Sequence, residues 1–561
     1  MPVKNKLTEI VIIGSSDVHG NVLGYSYEDN KDSECGGLDK IYSYVKACRN
    51  KYENVILLDN GDILQGNILA DDIASKCQGD NPIIKAMNIM GYDAMTVGNH
   101  EFNWGVSNLK RMVSSASFPI LAANVVKKDG TPLFKGHTIV EREGIRIAII
   151  GVVSPNIALW DGGKEGIDDY QYRDAAIAVK EEISRIADVD AYVVSAHMGL
   201  EFEYDTENFS DSARKIAEMN PEVAAILIGH KHTIVNERIG NTLVAAPRNS
   251  AEEVVSFHLY FDSEKRIKKS RADIIKLDSI PKSNCLIKDE CVQSAHAKTL
   301  ELICSVKLGY AAESFKTAGD IKGIPEALLK DNPISDMIKS LMLKATGADI
   351  AATPLFKPDS YFDKGDIYYY NIFSVYKYDN TLVTLKITGK ELKAYMEWSA
   401  EFYNQWKPGD INISFNPERP HYKYDTFSGV EYEIDISKNE GERIVSLTRH
   451  GKKVLDEDVF TLVVNSYRYT SALKAFNLVS GKKDWESSYS VRDLIVENFV
   501  KHSPIYPTLE NNWRIVGVDL NLEDSRRREI KEWISMGKIP VPYAKSYNLT
   551  DYNRLKFDSK Q

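Results

Sequence analysis

Six short apolar runs in the first 260 residues each stop at a cluster of polar residues. They read "EIVIIGSSDVHG", "NVILLDNGDILQG", "YDAMTVGNHEF", "IRIAIIGVVSP", "DAYVVSAHMG" and "VAAILIGHKH". Near-continuous apolar runs of this length read as strands buried on both faces, and the expectation is of sheets covered on both faces by helices. The stretches between them, such as "YRDAAIAVKEEISRIA", carry apolar residues at helical spacing. Together these patterns predict a layered α/β domain.

The chain has 561 residues, too many for one core, so two or three domains are expected. Residues 1–285 hold the strand–helix pattern, and 286–330 turn helical and charged, as a connector would. From 331 to 520 the composition shifts toward Tyr and Phe, and a helix "NPISDMIKSLMLKATGAD" precedes strands such as "NTLVTLKITG", "GVEYEIDIS" and "VFTLVVNSY", an α+β pattern. Residues 521–561 read as a charged helix, "EDSRRREIKEWISMG", followed by a polar tail.

Lys and Arg number 70 against 80 Asp and Glu, a net charge of −10. That balance argues against a surface for long nucleic acid, which needs cations to displace phosphate counterions. A small anionic substrate stays compatible, because bound metal can supply local positive charge. No uncharged apolar run reaches the ~18 residues of a membrane span, and no feature points to an obligate protein partner. The amino-terminal stretch "MPVKNKLTEIVIIGSSD" enters a strand without the apolar core of a signal peptide. With six cysteines and no CxxC pair, this predicts reduced thiols in a cytoplasmic protein, or a secreted or cell-surface one if a leader has been removed.

Five of the eleven histidines fall at the ends of the apolar runs: His19, His100, His197, His230 and His232. Asp17, Asp62 and Asn99 join them. Ligands gather beyond the carboxyl ends of strands in α/β sheets, so these side chains are expected to converge on one crevice. Asp, His and Asn together suit Mn, Fe or Zn. Taken singly, each such His is more often a hydrogen-bonded structural residue than a ligand. In "GHKH" the two histidines are two apart, which on an extended segment points them the same way.

The ordered set D-x-H, GD, GNHE, H and GHxH resembles the calcineurin-like metallophosphoesterase family. The second half resembles the 5′-nucleotidase C-terminal domain through "KYDNTLVTLKITGKELKAYMEWSA", "FSGVEYEIDIS" and "VVNSYRY". The resemblance implies an α/β layered domain with mixed sheets and two divalent metal ions. Asp17, His19 and His232 would bind one and Asn99, His197 and His230 the other, with Asp62 bridging. It also implies that His100 faces the substrate and stabilises or protonates developing charge, and that Tyr378 and Tyr467 sandwich a base while Asn380 hydrogen-bonds the nucleoside. Glu101 reads as a carboxylate that ties down the loop.

Two positions depart from the commoner family pattern. Asn103 stands where many nucleotidases carry an Asp that pairs with the His, so either His100 works as a neutral donor or another carboxylate reaches it. The Asn form, with "SDVHGNVLGYSY" and "YDNTL", resembles the 2′,3′-cyclic-nucleotide 2′-phosphodiesterase/3′-nucleotidase subgroup. After Tyr467 the family's Gly-rich turn is replaced by Thr470, Ser471 and Ala472, which implies a differently shaped pocket. The tyrosines of "IYYYNIFSVYKY" could instead be half-buried strand residues. If metals and base pocket lie in different domains, a hinge is expected near 286–345.

The resulting expectation is an enzyme hydrolysing 2′,3′-cyclic nucleotides and 3′-nucleotides. Its rivals are a 5′-nucleotidase or nucleotide-sugar hydrolase on the same metal site, and a catalytically weak nucleotide-binding protein on the same fold.

Overall fold

In a computed structural model, described here for residues 7–33, 36–520 and 524–558, all six apolar runs are strands. Cys35 lies outside the described residues. The chain divides into two compact units, Met1–Ile303 and Cys304–Gln561.

The first unit holds two six-stranded mixed sheets. In one, Thr8–Ser15, Val55–Asp59, Ala94–Thr96 and Ile120–Leu121 run parallel, and the antiparallel pair Glu253–Phe261 and Ile267–Lys276 extends the edge. In the other, Ile145–Val153, Ala191–His197, Val223–Ile228 and Thr242–Ala246 run parallel between antiparallel edge strands. Alternate residues of both sheets, among them Ile10, Ile12, Ile56, Ile147, Val193 and Leu227, meet in one buried core. The opposite face of the second sheet packs on helices Ala175–Arg185 and Ala213–Met219.

This corrects the expectation of helices on both faces. One face of each sheet is covered by the other sheet. An apolar run records that both faces are dry and is silent about what dries them.

The segment 286–330 is not uniformly helical. Helix Glu290–Cys304 is followed by strand Lys307–Ala311, which pairs with Gly365–Tyr368 of the second unit. The second unit contains a five-stranded mixed sheet, ordered Asp425–Ser428, Ile350–Pro354, Val459–Asn465, Thr381–Thr388, Lys483–Ser490, and a separate four-stranded sheet. Helix Pro333–Thr346 begins where Asn332 Oδ1 accepts from the N–H groups of Ile334 and Ser335, with Pro at the first turn.

The carboxyl-terminal segment is not a loose tail. Ile530, Ile534 and Tyr552 belong to the second unit's core, and the Trp533 and Tyr552 rings stack 5.9 Å apart. The run "IYYYNIFSVYKY" likewise is not one strand: strand Gly365–Tyr368 passes into helix Tyr369–Val375.

Candidate active site

Each candidate side chain leaves the carboxyl end of a strand within a few residues, so the loops are short and their backbone is constrained. Asp17, His19, Asp62, His230 and His232 all have φ between 50° and 70°, the left-handed region that non-glycine residues seldom occupy. Such conformations cost roughly 1–3 kcal/mol each and persist only where the surroundings over-determine them. Here the neighbouring loops do so: Asp17 N–H donates to Gly61 O, His19 N–H to Asp62 O and Gly20 N–H to Ile63 O, each at 2.9 Å. Both oxygens of Asp17 accept from His230 N–H at 3.1 Å.

Two glycines make this interlock sterically feasible. A Cβ on Gly98 would stand 2.2 Å from Asp62 Oδ1, and one on Gly229 would stand 2.1 Å from Ser16 Oγ and 2.5 Å from Asp17 Oδ2. The glycines of "GNHE" and "GHKH" therefore let neighbouring loops touch.

The structure brings the candidate ligands into two groups, Asp17–His19–His232 and Asp62–His197–His230, with ligand atoms within 4.8 Å of one another in each. Asn99 Oδ1 lies 2.8 Å from His230 Nδ1 and 3.2 Å from His197 Nε2. Asp62 Oδ2 is 3.0 Å from His197 Nε2, and Asp17 Oδ1 is 3.3 Å from His232 Nε2. The two histidines of "GHKH" go to different groups. Neither is on an extended segment, so their convergence comes from the loop's left-handed turns and not from strand alternation.

The imidazoles are oriented from behind. His19 Nδ1 donates to Gln65 O at 3.0 Å and His197 Nδ1 to Asn60 O at 2.7 Å. His230 Nε2 meets Glu203 Oε2 at 2.9 Å. Each such contact fixes which nitrogen is left with a lone pair facing the centre. His19 Nε2, left as an acceptor by the Nδ1 donation, lies 3.1 Å from His232 Nε2, which is itself 3.3 Å from Asp17 Oδ1, so three potential ligand atoms converge there. This donor set fits a divalent metal at each group. Burial and the nearby His232 charge hold His19 down to about 3. Burial would also lower His197, but Asp62 and Asp17 carry it up to about 10.

Glu101 ties the loop, as expected. It is fully buried and accepts from the N–H groups of Asp62, Ile63, Leu64 and Gly98 at 2.6–2.9 Å. His100 Nδ1 lies 2.8 Å from Asn103 Oδ1, and Asn103 Nδ2 donates to both oxygens of Asp161 at 3.3 Å. The second carboxylate thus reaches Asn103, not His100 itself.

A calcineurin-like phosphoesterase family model matches residues 10–233, and a 5′-nucleotidase C-terminal domain model matches 317–479. The chain belongs to the calcineurin-like phosphoesterases, with a 5′-nucleotidase C-terminal domain. It is 27% identical to the trifunctional nucleotide phosphoesterase protein YfkN of Bacillus subtilis over 92% of this chain and 39% of that protein. It is 26% identical to the 2′,3′-cyclic-nucleotide 2′-phosphodiesterase/3′-nucleotidase of Yersinia enterocolitica over 94% of this chain and 92% of that protein. A candidate 5′-nucleotidase from Staphylococcus aureus, solved with α-ketoglutarate, superposes with a TM-score of 0.77 at 22% identity, covering 90% of this chain and 99% of that one. That last likeness is one of fold.

In the phosphoesterase's C-terminal domain, Tyr378 and Asn380 precede strand Thr381–Thr388 and Tyr467 follows strand Val459–Asn465. These strands are antiparallel neighbours with Leu382 opposite Asn465, so all three residues emerge at the same end of one sheet. Tyr378 is half-buried and meets Phe356 edge-on, ring centroids 4.7 Å apart. Asn380 O accepts from Val491 N–H at 2.9 Å. Beyond Tyr467 the chain continues into a π-helical turn, Tyr469–Lys474, whose Ala472 and Leu473 are buried in the core. Of Thr470, Ser471 and Ala472, Ala472 packs in the core, Ser471 is buried, and the half-buried Thr470 donates its hydroxyl to Ser466 O and Tyr467 O at 3.2 Å. Beneath them Arg468, fully buried, forms an ion pair with Asp425 at 2.5 Å.

Sequence reasoning missed Asn60, Gln65, Glu203 and Asp161. Two act through or beside backbone carbonyls, which any residue type offers. Glu203 and Asp161 sit in loops or a one-turn helix without periodicity, and no spacing announces them.

Proposed function

We propose that this phosphoesterase hydrolyses nucleotide phosphoesters at a dinuclear metal centre, opening 2′,3′-cyclic nucleotides and removing 3′-phosphates. The observation that carries the reading is the pair of ligand groups, each with imidazoles oriented from behind toward a common centre. Asp17, His19 and His232 would hold one divalent cation and Asn99, His197 and His230 the second, with Asp62 serving both. The donor set suits Mn, Zn or Fe. When bound, two such cations supply a Lewis-acid clamp on the phosphoryl oxygens and an acidified water.

The chain's own residues do the rest. His100, held on Asn103 through Nδ1, has Nε2 available to protonate the departing ribose oxygen. Tyr378 and Tyr467 provide aromatic faces for a base, and Asn380 a polar contact to the nucleoside. Asn103 and the nucleotidase relatives support the 2′,3′-cyclic and 3′-nucleotide assignment. The net charge of −10 supports small nucleotides over long strands. Among the described residues no helix is long and apolar enough to cross a membrane. The five described cysteines are free, which supports a reducing, cytoplasmic setting.

The test is product release from 2′,3′-cyclic AMP, 3′-AMP and 5′-AMP before chelation, after it, and after Mn²⁺ readdition. Metal-dependent turnover of the first two with little of the third is expected. Preference for 5′-AMP would keep the metal chemistry and reassign the substrate; no turnover of any would overturn the reading.

A further inference from the structure

Two cysteines that are far apart in the chain converge in the fold. Cys77 follows the one-turn helix Ala74–Lys76, and Cys291 lies in the first turn of helix Glu290–Cys304. Both thiols donate to one acceptor: Asp80 O is 3.7 Å from Cys77 Sγ and 3.4 Å from Cys291 Sγ. Two sulfurs that share a carbonyl oxygen are held on the same small patch of surface. The backbone on each side is anchored. Cys77 O accepts from Arg111, and Asn81 Oδ1 caps helix Pro82–Met90 just beyond. On the other side Asp289 Oδ1 accepts from the N–H groups of Cys291 at 3.0 Å and Val292 at 3.4 Å, and Val292 and Ala295 are buried. Neither thiol is sealed off. Both residues are half-buried, and Gln78, Gly79 and Asp80 beside them are exposed. Cys48, by contrast, is buried, and Cys285 and Cys304 are exposed.

We propose that Cys77 and Cys291 form a site of reversible covalent modification: exposed to a small disulfide such as glutathione disulfide, they close an intrachain disulfide, and in a reducing cytoplasm they stay as thiols. Each protein thiol gives its proton to solvent as it ionises. The first thiolate attacks glutathione disulfide, so that a bond forms from the protein sulfur to one glutathione, the old S–S bond breaks, and the other glutathione leaves as thiolate and takes up a proton. The second protein thiolate then attacks the protein sulfur of that mixed disulfide, and the second glutathione leaves in the same way. Two electrons and two protons pass from the protein to glutathione, and nothing else is consumed. Burial, and then the Asp289 carboxylate, push the Cys291 thiol up, which assigns the first attack to Cys77. The bond ties the first turn of helix Glu290–Cys304 to the segment ahead of helix Pro82–Met90, both within the first unit. Neither cysteine is a candidate ligand, so the inference stands apart from the nucleotide assignment.

The test incubates the reduced full chain with glutathione disulfide, alkylates the remaining thiols and maps the peptides by mass spectrometry. A peptide pair joining Cys77 to Cys291, lighter by two hydrogens than the separate thiol peptides, should be the main linked species, and dithiothreitol should reverse it. In Cys291→Ser the link should be lost and Cys77 should carry one glutathione instead. Serine keeps a donor for Asp80 O, so this variant leaves the fold in place. In urea, where the fold no longer holds the two sulfurs together, the pair should lose its preference over other pairings. The oxidised chain should also unfold at a higher urea concentration than the reduced one, because a cross-link restricts the unfolded chain. Glutathione adducts on both cysteines with no link between them, a link that forms equally well in urea, or a lower urea midpoint after oxidation would each overturn the proposal.

Discussion

The two units build their candidate sites in opposite ways. In the first, five of the seven candidate ligands sit on left-handed backbone, on loops that interlock through backbone hydrogen bonds and glycine contacts. In the second, Tyr378, Asn380 and Tyr467 have ordinary backbone, and the segment around Tyr467 is anchored from below by the Arg468–Asp425 pair. The difference follows from what each would bind. A small cation needs several donor atoms converging within a few tenths of an ångström, and strain is tolerated to achieve that. A base needs a flat face, and stacking accepts sliding and tilting.

If that contrast is right, the largest effect should come from Asp62→Ala. It removes the proposed bridge, and turnover should fall on the order of a thousandfold or more, as expected when cations supplying several kcal/mol of charge stabilisation are lost. Metal content by mass spectrometry should fall with it. Full metal occupancy with normal turnover would break the comparison at its strongest point.

A subtler disturbance tests the interlock. Gly98→Ala puts a methyl 2.2 Å from Asp62 Oδ1 and 2.6 Å from Asp62 N, so Asp62 must shift. Disturbing a ligand's support typically weakens metal binding by about 10- to 100-fold. Metal titration of the folded variant measures it, and unaltered affinity would show that the loops yield more than their backbone suggests.

In the second unit, Tyr378→Ala and Tyr467→Ala should each raise KM for nucleotides by about tenfold, given ~1–3 kcal/mol per stacked base. Turnover of 4-nitrophenyl phosphate, which carries no base, serves as the control. Equal effects on both substrates would mean that these rings support the domain and do not hold a base.

The smallest effect concerns stability alone. Burial first, and then the Asp336 charge, raises Asp331 of the second unit to about 6. Between about pH 4, its unfolded value, and about pH 6, the folded state holds a proton that the unfolded chain has lost. Stability should therefore fall as pH rises through that window and level off above it. Asp331→Asn removes this slope while keeping an acceptor for Asn512 N–H, which Asp331 Oδ2 now receives at 3.0 Å. Denaturant titrations at several pH values should show a flatter profile in the variant, and parallel profiles would refute the assignment.

The strands and the polar residues at their ends were readable because both obey short-range rules. Apolar runs bury, and Asp, His and Asn beyond a strand's carboxyl end lie where parallel sheets open a crevice. Glu101 was readable for a similar reason, as a carboxylate among loop N–H groups. The covering of the sheets was not, because a sheet and a helix dry a strand equally well. Nor was the packed carboxyl-terminal segment: Ile530, Ile534 and Tyr552 are spread among charged residues, and only docking shows which of them are buried.

By itself, then, the sequence determined the family, the order of the strands that present the ligands, and the identity of every candidate ligand, since ligand chemistry resides in residue type. The division that sends His230 and His232 to different groups came with the family resemblance, whereas residue spacing pointed the two the same way; tertiary structure supplies the left-handed loop turns that separate them. It also decided what stands behind His100. An amide's orientation depends on a partner 58 residues away, and only the folded chain brings Asp161 to Asn103.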